Sequence, residues 1–257
     1  LKVVTILERQ YSNFYGLNLC FESLDGIVKH NGPIDNKNKI IKAFWDENIF
    51  LGKMKARYLS LSPSLEAQVA SLSDDIAYCA HDIADGYEAG ILSYESLKNS
   101  PFFGGFLASE PLVEHSVSLS VAQACRDLIK YLVNDLISCS FKNIKDLQKN
   151  AADRNMQNQI AFSSGTEKKV MELKCYLYKN LYRSEEINYM RSQAGGVVNA
   201  LFEHYFDNFD KIPALFLENE YYSKIKNSKY RKLNLLSDFI GSMTDKEALE
   251  TFGQIRI

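Results

Sequence analysis

Proline and glycine are scarce in this sequence, with 5 and 13 residues among 257. An all-β chain needs many turns built from these two residue types, so their scarcity argues against that class. No apolar run approaches the roughly 20 residues that cross a membrane, and the opening residues show no signal-peptide pattern. The net charge of −2 argues against a surface built to coat nucleic acid. The sequence thus predicts a protein without a membrane segment and gives no strong indication of a nucleic-acid partner.

The five cysteines lack the C-x-x-C spacing of metal and redox motifs, and their number is odd. They lie within apolar helical patterns, at Cys20, Cys79, Cys125, Cys139 and Cys175. We therefore expect free, buried thiols in a reducing compartment, which predicts a cytoplasmic location.

The start of the chain lacks the signals that usually begin a helix. Leu1 opens the stretch "LKVVTILERQ", which has a helical pattern but neither a methionine nor a capping residue before it. We therefore expect that these residues lie in the middle of a helix and that an N-terminal part of the protein is missing from this chain.

Helical periodicity dominates what is present. Apolar residues recur at spacings of three and four, and no segment alternates apolar and polar residues long enough to demand a strand. Ser62 and Pro63 predict the N-cap and first position of a long helix that reaches about Gly90. The fold is therefore predicted to be all-α. The predicted helices cover 17–30, 62–90, 114–140, 164–183, 185–207, 211–226 and 229–241, with a short helix around Trp45 and a connection at 93–106.

An acidic stretch, "SDDIAYCAHDIADG" at 73–86, lies within the longest predicted helix. On a helical wheel with Asp74 at zero, Tyr78 falls at about 40°, Asp82 at about 80° and His81 at about −20°. Most acidic helix faces are simply solvated. The alternative is a bound cation or ligand, and carboxylates suit Mg²⁺ and Mn²⁺. One helix seldom completes a metal site, so other ligands would have to come from elsewhere.

The segment "SLEAQVASLSDDIAYCAHDIADGYEAGIL" (64–92) closely resembles the HD-superfamily deoxynucleoside-triphosphate triphosphohydrolases, specifically the bacterial dGTPase-like proteins. Segments 17–33, 172–191 and 238–252 resemble the same family in the same order. The resemblance implies an HD-domain-like helical bundle, with 1–160 as the C-terminal portion of the HD phosphohydrolase domain and 161–257 as a C-terminal helical subregion. It also implies metal-dependent hydrolysis of dGTP or other dNTPs to deoxynucleoside and tripolyphosphate.

The resemblance also implies roles for single residues. Asp74 matches a metal ligand, and Tyr78 and Asp82 match positions that contact the sugar and phosphates of the nucleotide. The implied cofactor is a divalent metal, Mg or Mn. The implied partners are a dNTP substrate, a dNTP effector and further copies of the chain in a homo-oligomer.

One family motif is missing. The pair His81-Asp82 differs from the family's metal-binding His-Asp pair, which lies in a glycine- and histidine-rich segment that this sequence lacks. The resemblance places that segment, with three of four metal ligands, before Leu1. We therefore expect the isolated chain to be inactive. Two alternatives stay open: a non-catalytic remnant or assembly or effector-binding module, and an HD phosphohydrolase that acts on another nucleotide.

Three further residues have open roles. His30 ends a predicted helix, where an imidazole favours the helix dipole, and this structural role is favoured over a functional one. His81 either orients substrate or merely forms a hydrogen bond. Arg126 either reaches a phosphate or pairs with a carboxylate such as Asp127.

Overall fold

The computed structural model describes residues 1–34, 61–109, 117–149, 159–218, 220–223 and 228–255. These residues form helices and no strand, so the all-α prediction is confirmed. The predicted helix around Trp45 lies outside them. The α-helices are α1 (Phe21–Val28), α2 (Leu65–Glu88), α3 (Tyr94–Lys98), α4 (Phe103–Ser109), α5 (Val117–Lys149), α6 (Ser164–Leu177), α7 (Glu185–Asp207), α8 (Ala214–Leu217), α9 (Glu220–Ser223), α10 (Ser228–Gly241) and α11 (Asp245–Ile255).

The chain divides into two compact units. The first unit is Asn18–Ser184 together with Leu1, and the second unit is Lys2–Leu17 together with Glu185–Ile257. The family-domain boundary placed after residue 160 stays a prediction.

The first unit is built around the packing of α2 on α5, with α6 against α2. Each of these helices contributes a stripe of buried apolar side chains, and burying one such side chain contributes roughly 1.5–3 kcal/mol. This packing fixes the rotation of α2, so that its acidic side faces away from the core. The buried residues include Ile76, Cys79 and Ile83 from α2, Leu128 and Leu132 from α5, and Leu173 and Leu177 from α6.

The long helix α2 is confirmed, but it starts two residues later than predicted. Ser64 is the N-cap, and its Oγ accepts a hydrogen bond of 3.3 Å from the Ala67 N–H. Pro63 therefore precedes the helix and does not occupy its first position. At the other end, Gly90 has φ +73°, a left-handed conformation that glycine adopts without steric cost.

Several predicted segments differ from the structure, among them 114–140, whose helix continues to Lys149. The opening residues form only a π-helical turn, Val3–Leu7, and α1 begins at Phe21. The connection at 93–106 contains α3 and part of α4, because Ser93 caps α3 through a bond of 3.1 Å from the Ser96 N–H. The segment 211–226 is not one helix: Ile212 is extended, Pro213 is the N-cap of α8, and α9 is separate.

The predicted helix 164–183 also changes character near its end. It is α-helical as far as Leu177 and then continues as a π-helical turn, Tyr178–Tyr182. Helix 185–207 is confirmed, and 229–241 is confirmed to within one residue. Helix α11 was not predicted.

The cysteines are free, as predicted, but not all of them are buried. Cys79 and Cys125 lie in the core, whereas Cys20 and Cys175 are exposed. Burial raises the pKa of both core thiols to about 11, so they stay protonated.

The second unit has a small core of its own, made by Ile212, Tyr222, Leu235, Leu236 and Phe239. Lys2 binds Asp238 in an ion pair, and the Tyr222 hydroxyl donates to the same carboxylate at 2.7 Å. Within the described ranges, no helix has the length and apolar character needed to cross a membrane.

Candidate functional site

The acidic side of α2 meets a tyrosine from the π-helical turn. The Tyr182 hydroxyl donates a hydrogen bond to the Asp82 carboxylate. The Tyr182 ring also stacks on Tyr78, with centroids 5.8 Å apart and planes 10° from parallel. Tyr78 itself is 38% exposed. The structure therefore joins Tyr78, Asp82 and Tyr182 in one partly open cluster of two phenol groups and a carboxylate.

Burial changes the protonation of this cluster. Partial burial raises the pKa of Asp82, and repulsion from Asp85 acts in the same direction, while His81 opposes both. Burial is also the main cause that raises the pKa of Tyr78, with the Asp82 charge as the next. The Tyr78 hydroxyl therefore stays a hydrogen-bond donor at neutral pH. The ionised form of Asp82 is less stable here than it is in water.

Asp75 faces α6, where it is neutralised by a lysine. The Lys174 Nζ lies 2.6 Å from the Asp75 Oδ1, and both side chains are 36% exposed. A carboxylate already bound to an ammonium group has less affinity for a second cation. Asp75 thus links α2 to α6 through this ion pair.

Asp74 has different surroundings from its neighbour. It lines a cavity of about 600 Å³ between α1 and α2. Within the part of the chain that the structure describes, its carboxylate forms no ion pair or hydrogen bond. The same cavity is lined by Glu22, His30, Glu66 and Asp75. Asp74 therefore presents an unneutralised carboxylate to an open, acidic cavity.

His30 is fixed by hydrogen bonds at the end of α1. Its Nδ1 lies 2.9 Å from the Ile27 carbonyl oxygen, which can only accept, so Nδ1 carries the proton. The Asn31 side-chain amide lies 3.0 Å from Nε2 and donates to it. This geometry is that of an imidazole that caps a helix end, although the ring also borders the cavity.

His81 and Arg126 lack the contacts of binding residues. His81 is exposed, and among the described residues it makes no hydrogen bond. Arg126 donates from Nε and Nη2 to the Gln123 Oε1, at 3.1 and 2.6 Å. Its partner is therefore an amide on its own helix, and not the carboxylate of Asp127, which accepts from the other end of Gln123.

Sequence reasoning did not identify Tyr182. It lies near the end of the predicted helix 164–183, in a tyrosine-rich stretch, where packing on a helix surface or between helices is the usual role of such residues. Its contact with Asp82 depends on a π-helical turn, and a spacing rule based on the α-helix does not anticipate that turn.

The described residues do not make a complete metal site. None of their His, Cys, Asp and Glu side chains form a group of three or more that could hold a metal ion. A divalent cation bound by protein needs several oxygen or nitrogen ligands, and Asp74 offers one. The described part of this chain therefore does not fit an Mg²⁺ or Mn²⁺ ion by itself.

Comparison with known families finds matches for this chain. A profile described as "Phosphohydrolase-associated domain" matches residues 160–254, which include the π-helical turn and Tyr182. Together with the relatives described next, this match makes the chain similar to phosphohydrolases.

Its relatives are named "Deoxyguanosinetriphosphate triphosphohydrolase-like protein". The one from Neorickettsia sennetsu is 34% identical over 259 residues, which cover 99% of this chain and 65% of the relative. Those from Caulobacter sp. (strain K31) and Rickettsia felis are 33% and 32% identical and cover 97% and 99% of this chain. The resemblance found in the sequence is thus confirmed. The chain spans 63–65% of the length of these three relatives.

Proposed function

We propose that the protein containing this chain hydrolyses dGTP or another dNTP to a deoxynucleoside and tripolyphosphate in a metal-dependent reaction. The observation that carries this proposal is the α2 surface, where Asp74, which has no ion pair among the described residues, precedes Tyr78 by about one turn and Asp82 by about two. The names of the relatives support a dNTP as the substrate class.

Asp82 would select the sugar. As an anion it only accepts hydrogen bonds, so it would accept from the 3′-hydroxyl of a deoxynucleotide. The Tyr182 hydroxyl already holds one of its oxygens, which fixes the carboxylate in place. A nucleotide without a 3′-hydroxyl would leave the other oxygen of this partly buried carboxylate without a donor, and this mismatch costs binding energy.

Tyr78 and Lys174 supply the groups that suit phosphate and sugar oxygens. The Tyr78 hydroxyl stays protonated and would donate to such an oxygen. The Lys174 ammonium, paired with Asp75, offsets one negative charge of the acidic surface of α2. An anionic triphosphate would otherwise be repelled by that surface.

Asp74 is proposed as one ligand of a divalent cation, Mg or Mn, whose remaining ligands lie outside the described residues. A dNTP effector, a homo-oligomer and a cytoplasmic location remain part of the proposal. The isolated chain is proposed to be inactive, because one carboxylate does not hold a catalytic metal.

A second candidate function follows from the same shortage of ligands. The chain could be a non-catalytic remnant or a module for assembly or effector binding, since its described residues lack a group that could hold a metal. An HD phosphohydrolase that acts on another nucleotide is the third candidate.

The test is product analysis by ³¹P NMR on the full-length protein containing this chain, incubated with dGTP and Mg²⁺ or Mn²⁺. The proposal expects tripolyphosphate and a deoxynucleoside. Orthophosphate or pyrophosphate would indicate a different phosphohydrolase reaction, and no product with any dNTP would favour the non-catalytic module.

The sugar role is tested with 2′,3′-dideoxy-GTP, which should react more slowly than dGTP in wild type but similarly to dGTP in Asp82→Asn. Glu88→Gln, which changes an exposed carboxylate on the same helix, is the matched control.

A further inference from the structure

Among the described residues, two polar contacts connect α2 to α6 and the π-helical turn that follows it, and their spacings differ on the two sides. Lys174 binds Asp75, and further along Tyr182 binds Asp82. On α2 the two contact residues are seven apart (82 − 75), whereas on the facing segment they are eight apart (182 − 174). One side of the pairing therefore contains one residue more than the other.

A regular α-helix would align these two contacts less well. Seven residues of α-helix turn through about 700°, which returns to within about 20° of the starting face after a rise of about 10.5 Å. Eight residues turn through about 800°, which leaves the last side chain about 80° off that face. If the helix stayed regular beyond Lys174, Tyr182 would lie about 80° round the helix from Lys174 and would be less well aligned with Asp82.

The π-helical turn Tyr178–Tyr182 absorbs the additional residue. The Arg183 N–H donates to the Tyr178 carbonyl at 3.1 Å, a bond between residues five apart that takes in one residue more than an α-helical bond. The Asn180 side chain donates to the Tyr176 carbonyl at 2.9 Å.

Packing also holds this turn against α2. Leu181 is buried beside Gly86, where an added Cβ would lie 3.0 Å from the Leu181 Cδ1. The absence of a side chain at Gly86 thus lets the turn approach α2 closely enough for the next residue, Tyr182, to reach Asp82.

We propose that the π-helical turn is a one-residue spacer. The Lys174–Asp75 pair fixes α6 against α2, and the additional residue in the turn then brings Tyr182 into contact with Asp82 and Tyr78. Tyr182 is then a positioning residue: its hydroxyl orients the Asp82 carboxylate, and its ring supports Tyr78. This inference rests on the proposed function in one respect only, the identity of the group that the oriented Asp82 carboxylate binds.

The test varies the length of the turn at Lys179, whose side chain is exposed. Three variants of the 257-residue chain are compared: deletion of Lys179, Lys179→Ala as the control of unchanged length, and one alanine inserted after Lys179. In each background, urea unfolding of a double-mutant cycle with Tyr182→Phe and Asp82→Ala measures the coupling between these two residues. A second cycle, with Lys174→Met and Asp75→Asn, measures the coupling between Lys174 and Asp75. The nuclear Overhauser effect between the rings of Tyr78 and Tyr182, assigned with Tyr78→Phe, gives an independent spectroscopic signature.

Deletion restores a spacing of seven, so a regular α-helix would keep Tyr182 on Asp82. The Tyr182–Asp82 coupling and the ring-to-ring signal should therefore persist in the deletion and in Lys179→Ala. Both should be lost with the insertion, which turns Tyr182 by a further 100° or so. The Lys174–Asp75 coupling should persist in all three variants, because it precedes the turn.

The spacer is overturned if the insertion keeps the Tyr182–Asp82 coupling or the ring signal, or if the deletion loses either one. Loss of the Lys174–Asp75 coupling in the deletion overturns it as well, since α6 should then be intact. None of these results involves hydrolysis. If the spacer holds while Asp82→Asn leaves the preference for dGTP over its dideoxy analogue unchanged, the proposed function fails alone.

Discussion

Two adjacent aspartates on α2 have different surroundings, and the difference decides what each can bind. Both line the cavity, but Asp75 is paired with Lys174, whereas Asp74 has no ion pair in the described part of the chain. Their side chains leave the helix about 100° apart. The sequence "DD" alone does not say which carboxylate is neutralised, because Lys174 is 99 residues away along the chain.

In the full-length protein, Asp74→Ala should abolish metal binding and dNTP hydrolysis, because it removes a proposed ligand. Asp75→Ala should retain the metal and lose about 0.2–1 kcal/mol of unfolding free energy, the usual contribution of an exposed ion pair. Metal content and steady-state kinetics of the two variants provide the measurement. If Asp75→Ala lost the metal and Asp74→Ala kept it, the register of the family resemblance would be wrong by one residue.

Asp82 should make stability depend on pH in a defined direction. Its pKa is raised by burial, so between the unfolded value of about 3.9 and the folded value the native state holds more protons than the unfolded chain. Stability then falls as pH rises through this window. Asp82→Asn, which carries no charge, should therefore unfold at higher urea concentration than wild type at pH 7.

The difference between Asp82→Asn and wild type should shrink as pH is lowered toward 4, where wild-type Asp82 becomes protonated as well. Urea unfolding at a series of pH values measures it, with Glu88→Gln as the exposed control, expected within about 0.5 kcal/mol of wild type. A difference that grew on acidification would contradict the assigned direction of the pKa shift.

At the scale of elements, the long helices could be predicted because their apolar periodicity is written in the sequence. Helix α11 could also have been found, since Thr244 and Glu247 form a capping box: the Thr244 N–H donates to Glu247 Oε2 at 2.8 Å, and the Glu247 N–H to Thr244 Oγ1 at 3.2 Å. The π-helical turn could not be predicted in this way. Its existence depends on the spacing of contacts on a facing helix, and therefore on the fold.

Gly86→Ala tests the close approach of that turn to α2. The added Cβ would lie 2.8 Å from the Leu92 Cδ1 and 3.0 Å from the Leu181 Cδ1, and both leucines are buried. Alanine gains about 0.5–1 kcal/mol of helix propensity, but the crowding costs roughly 1–3 kcal/mol. We expect a net loss of about 1 kcal/mol in urea unfolding, together with a weaker Tyr182–Asp82 coupling.

Gly196→Ala is the matched control for this substitution, because it lies inside α7 with nothing within 4 Å of the added Cβ. It should stabilise the protein by about 0.5–1 kcal/mol. If Gly86→Ala proved as stabilising as Gly196→Ala, the close contact between the turn and α2 would not exist in solution.

At the scale of the whole molecule, the described residues hold the cluster proposed to bind the nucleotide, but they offer only one of the proposed metal ligands. Tyr78, Asp82 and Tyr182 are held by contacts within the first unit, so they are positioned without any other chain. Asp74 has a cavity beside it but no second metal ligand in the described residues. The groups proposed to bind substrate can thus be held in place by a chain whose described residues do not complete a metal site.

The 257-residue chain should therefore have no appreciable dNTP hydrolase activity by itself. A catalytic metal needs several ligands, and a single carboxylate on an open surface binds Mg²⁺ or Mn²⁺ too weakly to hold it in place. The measurement is release of deoxynucleoside and tripolyphosphate from dGTP with either metal present, with the full-length protein as the positive control. Asp74→Ala in the isolated chain should change nothing, since no activity depends on it there. Robust turnover by the pure chain that Asp74→Ala left intact would mean that the catalytic residues lie elsewhere, and the roles proposed for α2 would have to be abandoned.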